Sequence, residues 1–259
     1  MKVVILAGGL GTRLSEETII KPKPMVEIGG KPILWHIMKI YAHYGYNEFI
    51  ICLGYKGHMI KEYFINYFLY NSDITVELHN NKLDVHYSSA ESFKVTLVDT
   101  GIDTNTAGRI KHIEPYLGKD ETFMLTYGDG VADINIQKLA NFHEAHGKLA
   151  TLTSIQLPGR YGNIQTDEQG IVHHFQEKPQ GDGTWINGGF FVLSKGIFQF
   201  LQEDMRTIQW EKKPLIDIAQ QNQLAAYKHY GFWKAMDAMR DKIELEELWN
   251  TNQAAWKVW

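Results

Sequence analysis

The chain has 259 residues, 44% hydrophobic and 22% charged, with 26 basic and 30 acidic side chains for a net charge of -4. These are ordinary globular values, and the length buries a sizeable core as one α/β domain or two small ones. Disorder and coiled coil are excluded, and a general nucleic-acid binder, which carries a basic surplus, gains no support. The lone cysteine, Cys52, lies in the apolar run Phe49-Ile50-Ile51-Cys52-Leu53, so no internal disulfide can form and the thiol reads as a small buried hydrophobe. The opening residues 1–7 reach Gly8 too soon for a signal peptide. No apolar run approaches the ~18 residues that cross a bilayer. The expectation is a soluble, cytoplasmic protein with no nucleic-acid or membrane partner.

In chain order, residues 2–7 form a short apolar, β-rich run ending in glycines, which predicts a strand buried on both faces. Residues 33–44 have helical spacing, with Pro32 near the start and Gly45 just past the end. Residues 48–53 are a second buried strand and 56–68 a second helix, an opening that implies parallel strands with crossover helices. Strands are predicted at 75–78 and 95–99, with polar residues 80–93 between them left unassigned. Residues 122–127 are a strand running into Gly128-Asp129-Gly130. Then follow a helix at 136–146, a strand at 150–156, one or two hairpin strands within 159–178, a strand at 189–193, and a loop leading into a charged helix over 234–249. The pattern reads as a single mixed α/β domain, its mainly parallel sheet flanked by helices, with a small C-terminal elaboration.

The first segment with chemical content is Leu6-Ala7-Gly8-Gly9-Leu10-Gly11-Thr12-Arg13-Leu14. Glycines after a buried strand let backbone N–H groups encircle phosphate oxygens, and Arg13 adds a planar two-donor cation. A P-loop is excluded because Gly11 is followed by Thr12-Arg13 rather than Lys-Ser/Thr. The dinucleotide fingerprint is excluded because Leu14 stands where a third Gly or Ala is needed. Lys21-Pro22-Lys23-Pro24-Met25 follows, each proline stiffening the lysine before it. A preorganised cation loses little entropy on meeting phosphate.

The run from Leu6 to Leu14, then Lys-Pro-Lys-Pro-Met, then Gly30-Lys31-Pro32, resembles the sugar nucleotidylyltransferases. The resemblance extends through Tyr127-Gly128-Asp129-Gly130-Val131-Ala132-Asp133, Phe175-Gln176-Glu177-Lys178-Pro179 and Asn187-Gly188-Gly189-Phe190-Phe191. Among subfamilies the chain is most similar to the cytidylyltransferases that act on glucose 1-phosphate. The resemblance implies a Rossmann-like nucleotidyltransferase domain over 1–259, with a nucleotide-binding part at about 1–135 and a sugar-binding and C-terminal part at about 136–259. It implies transfer of a cytidylyl group from CTP to α-D-glucose 1-phosphate, giving CDP-glucose and pyrophosphate.

The same resemblance implies the site. Leu6, Ala7, Gly8, Gly9, Gly11, Thr12 and Gly128 would hold the nucleotide, Arg13 the triphosphate, and Lys23 would neutralise charge at the attacked phosphate. Lys21 has no family counterpart and is a supporting charge. Thr104 and Arg109, in the loop 103–109, would contact base or phosphates, although Thr-rich loops are also ordinary helix caps. Lys178 would bind the sugar phosphate, Glu177 the sugar hydroxyls, and Asn187 and Gly188 would close over the sugar. Asp129 and Asp237 match the two metal aspartates for Mg²⁺, an ion that favours one or two carboxylates plus phosphate oxygens. Without the resemblance, Asp237 reads more readily as a helix cap than as a metal ligand, and Asp133 reads as a turn or cap residue.

His143 and His146 lie three apart on a helix, but no third ligand gives a zinc pattern, and no Gly-x-Ser-x-Gly marks a covalent nucleophile. Two other readings stay open: the same reaction with dTTP or UTP, and a catalytically silent sugar-nucleotide binder acting as a regulator. Three tryptophans, Trp249, Trp256 and Trp259, end the chain and suit either a subunit contact or packing back onto the same domain. The subfamily resemblance implies a homo-oligomer, with a hexamer among the assemblies it allows, and a product suited to deoxysugars of bacterial surface polysaccharide.

Overall fold

The computed structural model describes residues 1–157, 162–177, 184–201 and 204–259. Its centre is a sheet of eight strands: β1 (Val3–Leu6), β2 (Glu48–Leu53), β3 (Lys94–Asp99), β4 (Thr122–Tyr127), β5 (Ala150–Ile155), β6 (Ile186–Asn187), β7 (Phe191–Ser194) and β8 (Leu224–Lys228). The strands run in the order β6-β5-β7-β4-β1-β2-β3, with β8 also paired to β5. The pairs β1–β2, β1–β4, β2–β3 and β5–β8 are parallel, whereas β7 runs antiparallel to β4 and β5. The sheet is therefore mixed and mainly parallel. β6 and β7 pair with the same edge of β5, and the ladder breaks between them where Gly189 (φ 75) and Phe190 (φ 46) take left-handed conformations.

Helices α1 (Ile33–His43), α2 (Gly57–Tyr70), α3 (Thr106–His112), α4 (Ile136–His146), α5 (Lys213–Gln220) and α6 (Met239–Asn250) cover the two faces. β1 shows how the sequence dictates this layering. Val3 and Ile5 join the core with α1 and α4, while Val4 and Leu6 join the core with α3 and α5. All four are buried, as the period-2 alternation of a strand covered on both faces requires. Each such aliphatic side chain contributes about 1.5–3 kcal/mol of burial. Cys52 lies buried in β2, as expected, and burial pushes its thiol up to about 12.

The strand expected at 75–78 is present as Ser72–Glu77; it stands outside the central sheet and pairs with Lys82–Ser88 from the unassigned stretch in a separate, largely exposed ribbon. Its alternation is apolar enough for a strand, and among the described residues its side chains stay largely exposed. The loop expected to open 234–249 begins instead as a strand, Trp233–Ala235, paired with Gly130–Ala132. The expected hairpin within 159–178 is present as Asn163–Thr166 paired with Val172–Gln176.

The terminal tryptophans pack back onto the same chain. Trp256 is fully buried, and its indole N–H donates to Nδ1 of His36 at 3.4 Å while Nε2 of His36 faces the Ile28 carbonyl at 2.8 Å. Trp249, Trp259 and Trp35 pack around the same imidazole. Burial holds His36 neutral, lowering it to about 4. Among the described residues no helix is long and apolar enough to cross a membrane.

Candidate active site

Because β1 and β4 are parallel neighbours, with Leu6 opposite Tyr127, the loops leaving their carboxyl ends emerge side by side. That edge is where open α/β sheets bind ligands. Here it opens a cleft of about 300 Å³. All eleven predicted nucleotide residues line it: Leu6, Ala7, Gly8, Gly9, Gly11, Thr12, Arg13, Lys23, Thr104, Arg109 and Gly128, with Asp129 beside them. A second cleft of about 250 Å³ adjoins it, sharing Arg13, Tyr127 and Asp129 and adding Asn187, Gly188, Trp233 and Asp237. Gly11 sits at φ 66, and a side chain there would press on Thr18 and on Lys23, so the glycine lets the loop close against the lysine segment.

The charged centre lies where the two clefts meet. Lys23 is mostly buried, and its ammonium donates to Asp129 Oδ2 at 2.6 Å and to Asp237 Oδ1 at 2.7 Å. Burial works to lower its pKa, but the two carboxylates outweigh that and raise it, so Lys23 is a fixed cation. Arg13 is 75% exposed and donates to Asp237 Oδ2 at 3.1 Å. Asp129 reaches the centre from the turn after β4. Asp237 follows the strand Trp233–Ala235, whose ladder with Gly130–Ala132 continues in a Met236 N–H bond to the Asp129 carbonyl.

Asp237 does not cap α6. The N-cap is Ala238, and Asp241 accepts the N–H groups of Asp237 and Ala238. The Asp237 carboxylate is thus left to the site. Asp129 and Asp237 both reach one ammonium nitrogen, so their oxygens are close enough to share a single hard cation. An all-oxygen pair of this kind fits Mg²⁺ completed by phosphate oxygens. No cluster of three or more His, Cys, Asp or Glu side chains that could hold a metal occurs among the described residues.

Arg109 takes a different place from the one its loop suggested. It lies on α3, 4% exposed, and its guanidinium donates to the carbonyls of Leu53, Gly101, Gly8 and Ile102 and to Thr100 Oγ1. A Cβ on Gly8 would collide with it. It ties together the loops after β1, β2 and β3, and its donors are taken up by backbone, so it shapes the cleft wall. Thr104 is half-buried at the same wall. Lys21 pairs with Glu27 at 3.1 Å and stays out of the cleft. Asp133 sits 3.0 Å from His229, and Asn135 rather than Asp133 caps α4. His143 and His146 bond to Thr151, and His143 also to Ser194, an arrangement that leaves no metal role.

Glu177 is not brought to either cleft. It is exposed at the end of the hairpin strand Val172–Gln176, every residue of which is exposed. Lys178 lies outside the described residues. Three residues that the sequence reading passed over join the two clefts: the Tyr127 hydroxyl donates to Glu211 at 2.6 Å and accepts from Asn187 at 3.3 Å, while Thr106 donates to the other oxygen of Glu211 at 2.9 Å. Burial and the Glu211 charge push the Tyr127 phenol up, so it stays a neutral donor. Tyr127 had a local signal, standing directly before Gly128-Asp129; Glu211 had none.

The family model for nucleotidyl transferases matches residues 2–256. The chain belongs to the nucleotidyl transferase family. This nucleotidyl transferase is 57% identical to the glucose-1-phosphate cytidylyltransferase of Salmonella typhi and 49% identical to the probable glucose-1-phosphate cytidylyltransferase of Bacillus subtilis, each over 100% of both chains. Among solved structures it is similar to UDP-glucose pyrophosphorylase complexed with UDP-glucose (TM-score 0.69, 18% identity, covering 97% of this chain and 98% of that one). It is similar as well to HddC from Yersinia pseudotuberculosis complexed with GMP-PN (TM-score 0.68, 24% identity, 96% and 99%). At those identities the likeness concerns the fold, which is that of the Rossmann-like nucleotidyltransferases.

Proposed function

We propose that the chain is an enzyme that transfers a cytidylyl group from CTP to α-D-glucose 1-phosphate, giving CDP-glucose and pyrophosphate. The observation that carries this reading is the full-length 57% identity to a glucose-1-phosphate cytidylyltransferase, in a chain whose Lys23, Asp129 and Asp237 side chains meet at one point between two clefts. A phosphate oxygen of the sugar phosphate attacks the α-phosphorus of CTP in line, the new P–O bond forming as the bond to the β-phosphate oxygen breaks and pyrophosphate leaves.

The barrier is the meeting of two anions, so positioning and fixed charge supply the catalysis. The glycine loop from Gly8 to Gly11 presents backbone N–H groups to the triphosphate, with Leu6, Ala7, Thr12, Thr104 and Gly128 shaping the walls. Lys23 stabilises charge at the attacked phosphate. Arg13, exposed and held by a single carboxylate, reaches over the triphosphate and helps pyrophosphate depart. Asn187 and Gly188 border the sugar phosphate, with Lys178 as its phosphate partner and Glu177 as a sugar contact. Asp129 and Asp237 would hold Mg²⁺, which when bound supplies charge neutralisation along the triphosphate. Residues 1–135 thereby carry the nucleotide and 136–259 the sugar and the second carboxylate, in one nucleotidyltransferase domain. The reading extends to a cytoplasmic homo-oligomer.

A silent regulator is disfavoured because the charged groups converge instead of being dispersed. Pyrophosphate release with glucose 1-phosphate, Mg²⁺ and each of CTP, UTP, dTTP, ATP and GTP tests the proposal. Preference for CTP, with CDP-glucose identified by mass, supports it. Preference for UTP or dTTP would overturn the base assignment, and no release with any sugar phosphate would favour the silent binder.

A further inference from the structure

The backbone that presents Asp237 has an unusual anchor. The ladder between Trp233–Ala235 and Gly130–Ala132 ends at the Ala235–Gly130 pair, and one further bond joins Met236 N–H to the Asp129 carbonyl. Asp237 and Ala238 lie just beyond, so the ladder offers their N–H groups no partner. A single carboxylate takes both: Oδ2 of Asp241 accepts from Asp237 N–H at 3.1 Å and from Ala238 N–H at 2.9 Å. Oδ1 of the same side chain faces the Lys234 ammonium at 3.3 Å, and the carboxylate is only 11% exposed. Lys234 belongs to the strand paired with the segment that follows Asp129. Asp241 therefore clamps the short connection between the ladder and α6 to the strand on one side and the helix start on the other.

The helix itself has other fastenings. Lys242 pairs with Glu17, and the Glu246 carboxylate accepts from Gly29 N–H at 3.1 Å. Trp249 and Trp256 pack on His36. Asp241 is thus not what docks α6. One of its two backbone bonds holds Asp237, whose side chain completes the pair of carboxylates around Lys23, and the other holds Ala238, the next residue.

We infer that Asp241 is a positioning residue for the second metal carboxylate, fixing the Asp237 backbone so that Asp237 and Asp129 can share one divalent cation. This rests on the magnesium reading of the site given above. Partners of metal-binding carboxylates act in this way: they orient the ligand and change metal affinity without touching the metal. At the third position of the helix a glutamate is the usual residue that reaches back to the cap N–H. Asp241→Glu should therefore retain the clamp, whereas Asp241→Asn keeps the size but loses the charge facing Lys234 and offers one acceptor oxygen in place of two.

The test is Mn²⁺ binding by electron paramagnetic resonance in the presence of CTP and without sugar phosphate, so that no turnover occurs, together with calorimetry of CTP binding in EDTA. Asp241→Asn should weaken Mn²⁺ roughly 10-fold or more while metal-free CTP binding stays as in the unaltered protein, and Asp241→Glu should restore most of the Mn²⁺ affinity. Mn²⁺ affinity unchanged in Asp241→Asn, or lost in parallel with metal-free CTP binding, would overturn the inference. If Asp241→Asn does not fold, Lys234→Met removes the nearer cation facing Oδ1 and leaves Arg240 at 3.8 Å; it should weaken Mn²⁺ by a smaller factor than the ~10-fold of Asp241→Asn, and no change there would also count against it. Failure of the unaltered protein to bind Mn²⁺ with CTP present would instead defeat the metal reading itself, and the inference with it.

Discussion

Two cationic regions border the same cleft and are built in opposite ways. At the wall, Arg109 is buried and its guanidinium is occupied by four backbone carbonyls and one hydroxyl from three loops. At the charged centre, Lys23 and Arg13 hold only carboxylates, two for the lysine and one for the arginine, and Arg13 is largely in solvent. A cation satisfied by backbone is scaffold, because releasing it gives up bonds that hold separate loops together. A cation paired with carboxylates can exchange partners when phosphate and metal arrive, because each ion then finds a new counter-charge.

The contrast is broken most forcefully at the centre. Lys23→Met should lower kcat by about 100- to 1,000-fold, the scale for removing a preorganised charge stabiliser, while the thermal midpoint changes little; a variant that unfolds without a specific loss of kcat would put Lys23 with the scaffold. Arg109→Met should do the reverse and destabilise the fold by about 3 kcal/mol or more through the loss of its charge-assisted bonds between loops, measured by urea denaturation. A stable Arg109→Met protein with only a raised KM for CTP would show that the guanidinium serves the nucleotide directly.

The buried histidines sharpen the scaffold side. Burial lowers His36 and His143 to about 4 from 6.5. The unfolded chain then binds protons more readily than the folded one below pH 6.5, so stability is full above that value and is lost as pH falls toward 4. At pH 5 each histidine should cost about 2 kcal/mol relative to pH 7. Denaturation at the two pH values checks this, and NMR should show both rings titrating near 4; flat stability would contradict it. The smallest effect is expected at Arg13, where Arg13→Met should raise KM for CTP about tenfold, the loss of one charge-assisted contact from a flexible, exposed side chain, with little change in stability.

The glycine loop was legible because all its parts lie within a few consecutive residues at the end of one buried strand, and the strand–helix alternation gave the mainly parallel sheet. Asp237 was legible only through family resemblance: its partner Lys23 is 214 positions away, and its local pattern is that of a cap. The carboxylate that reaches back to the cap N–H is Asp241, four residues on, which no local rule separates from Asp237. Arg109 was legible as a cleft residue, but its bonds to the carbonyls of Leu53, Gly101 and Gly8 were not, because folding brings those carbonyls to it from other loops. The strand at Ser72–Glu77 was legible but its partner Lys82–Ser88 was not, because alternation marks a strand and not the strand it pairs with. The tail tryptophans were ambiguous because the cage that holds them is centred on His36, more than 200 positions earlier.

The claim on which the rest depends is that Asp129 and Asp237 act as one unit at the junction of the two clefts. Rates of CDP-glucose formation by Asp129→Asn, Asp237→Asn and the double variant, across a range of Mg²⁺ concentrations, test it most directly. If the unit is real, the double variant is hardly slower than the worse single variant, since groups that act together are strongly non-additive. Losses that multiply, or a single variant with unaltered magnesium dependence, would contradict it.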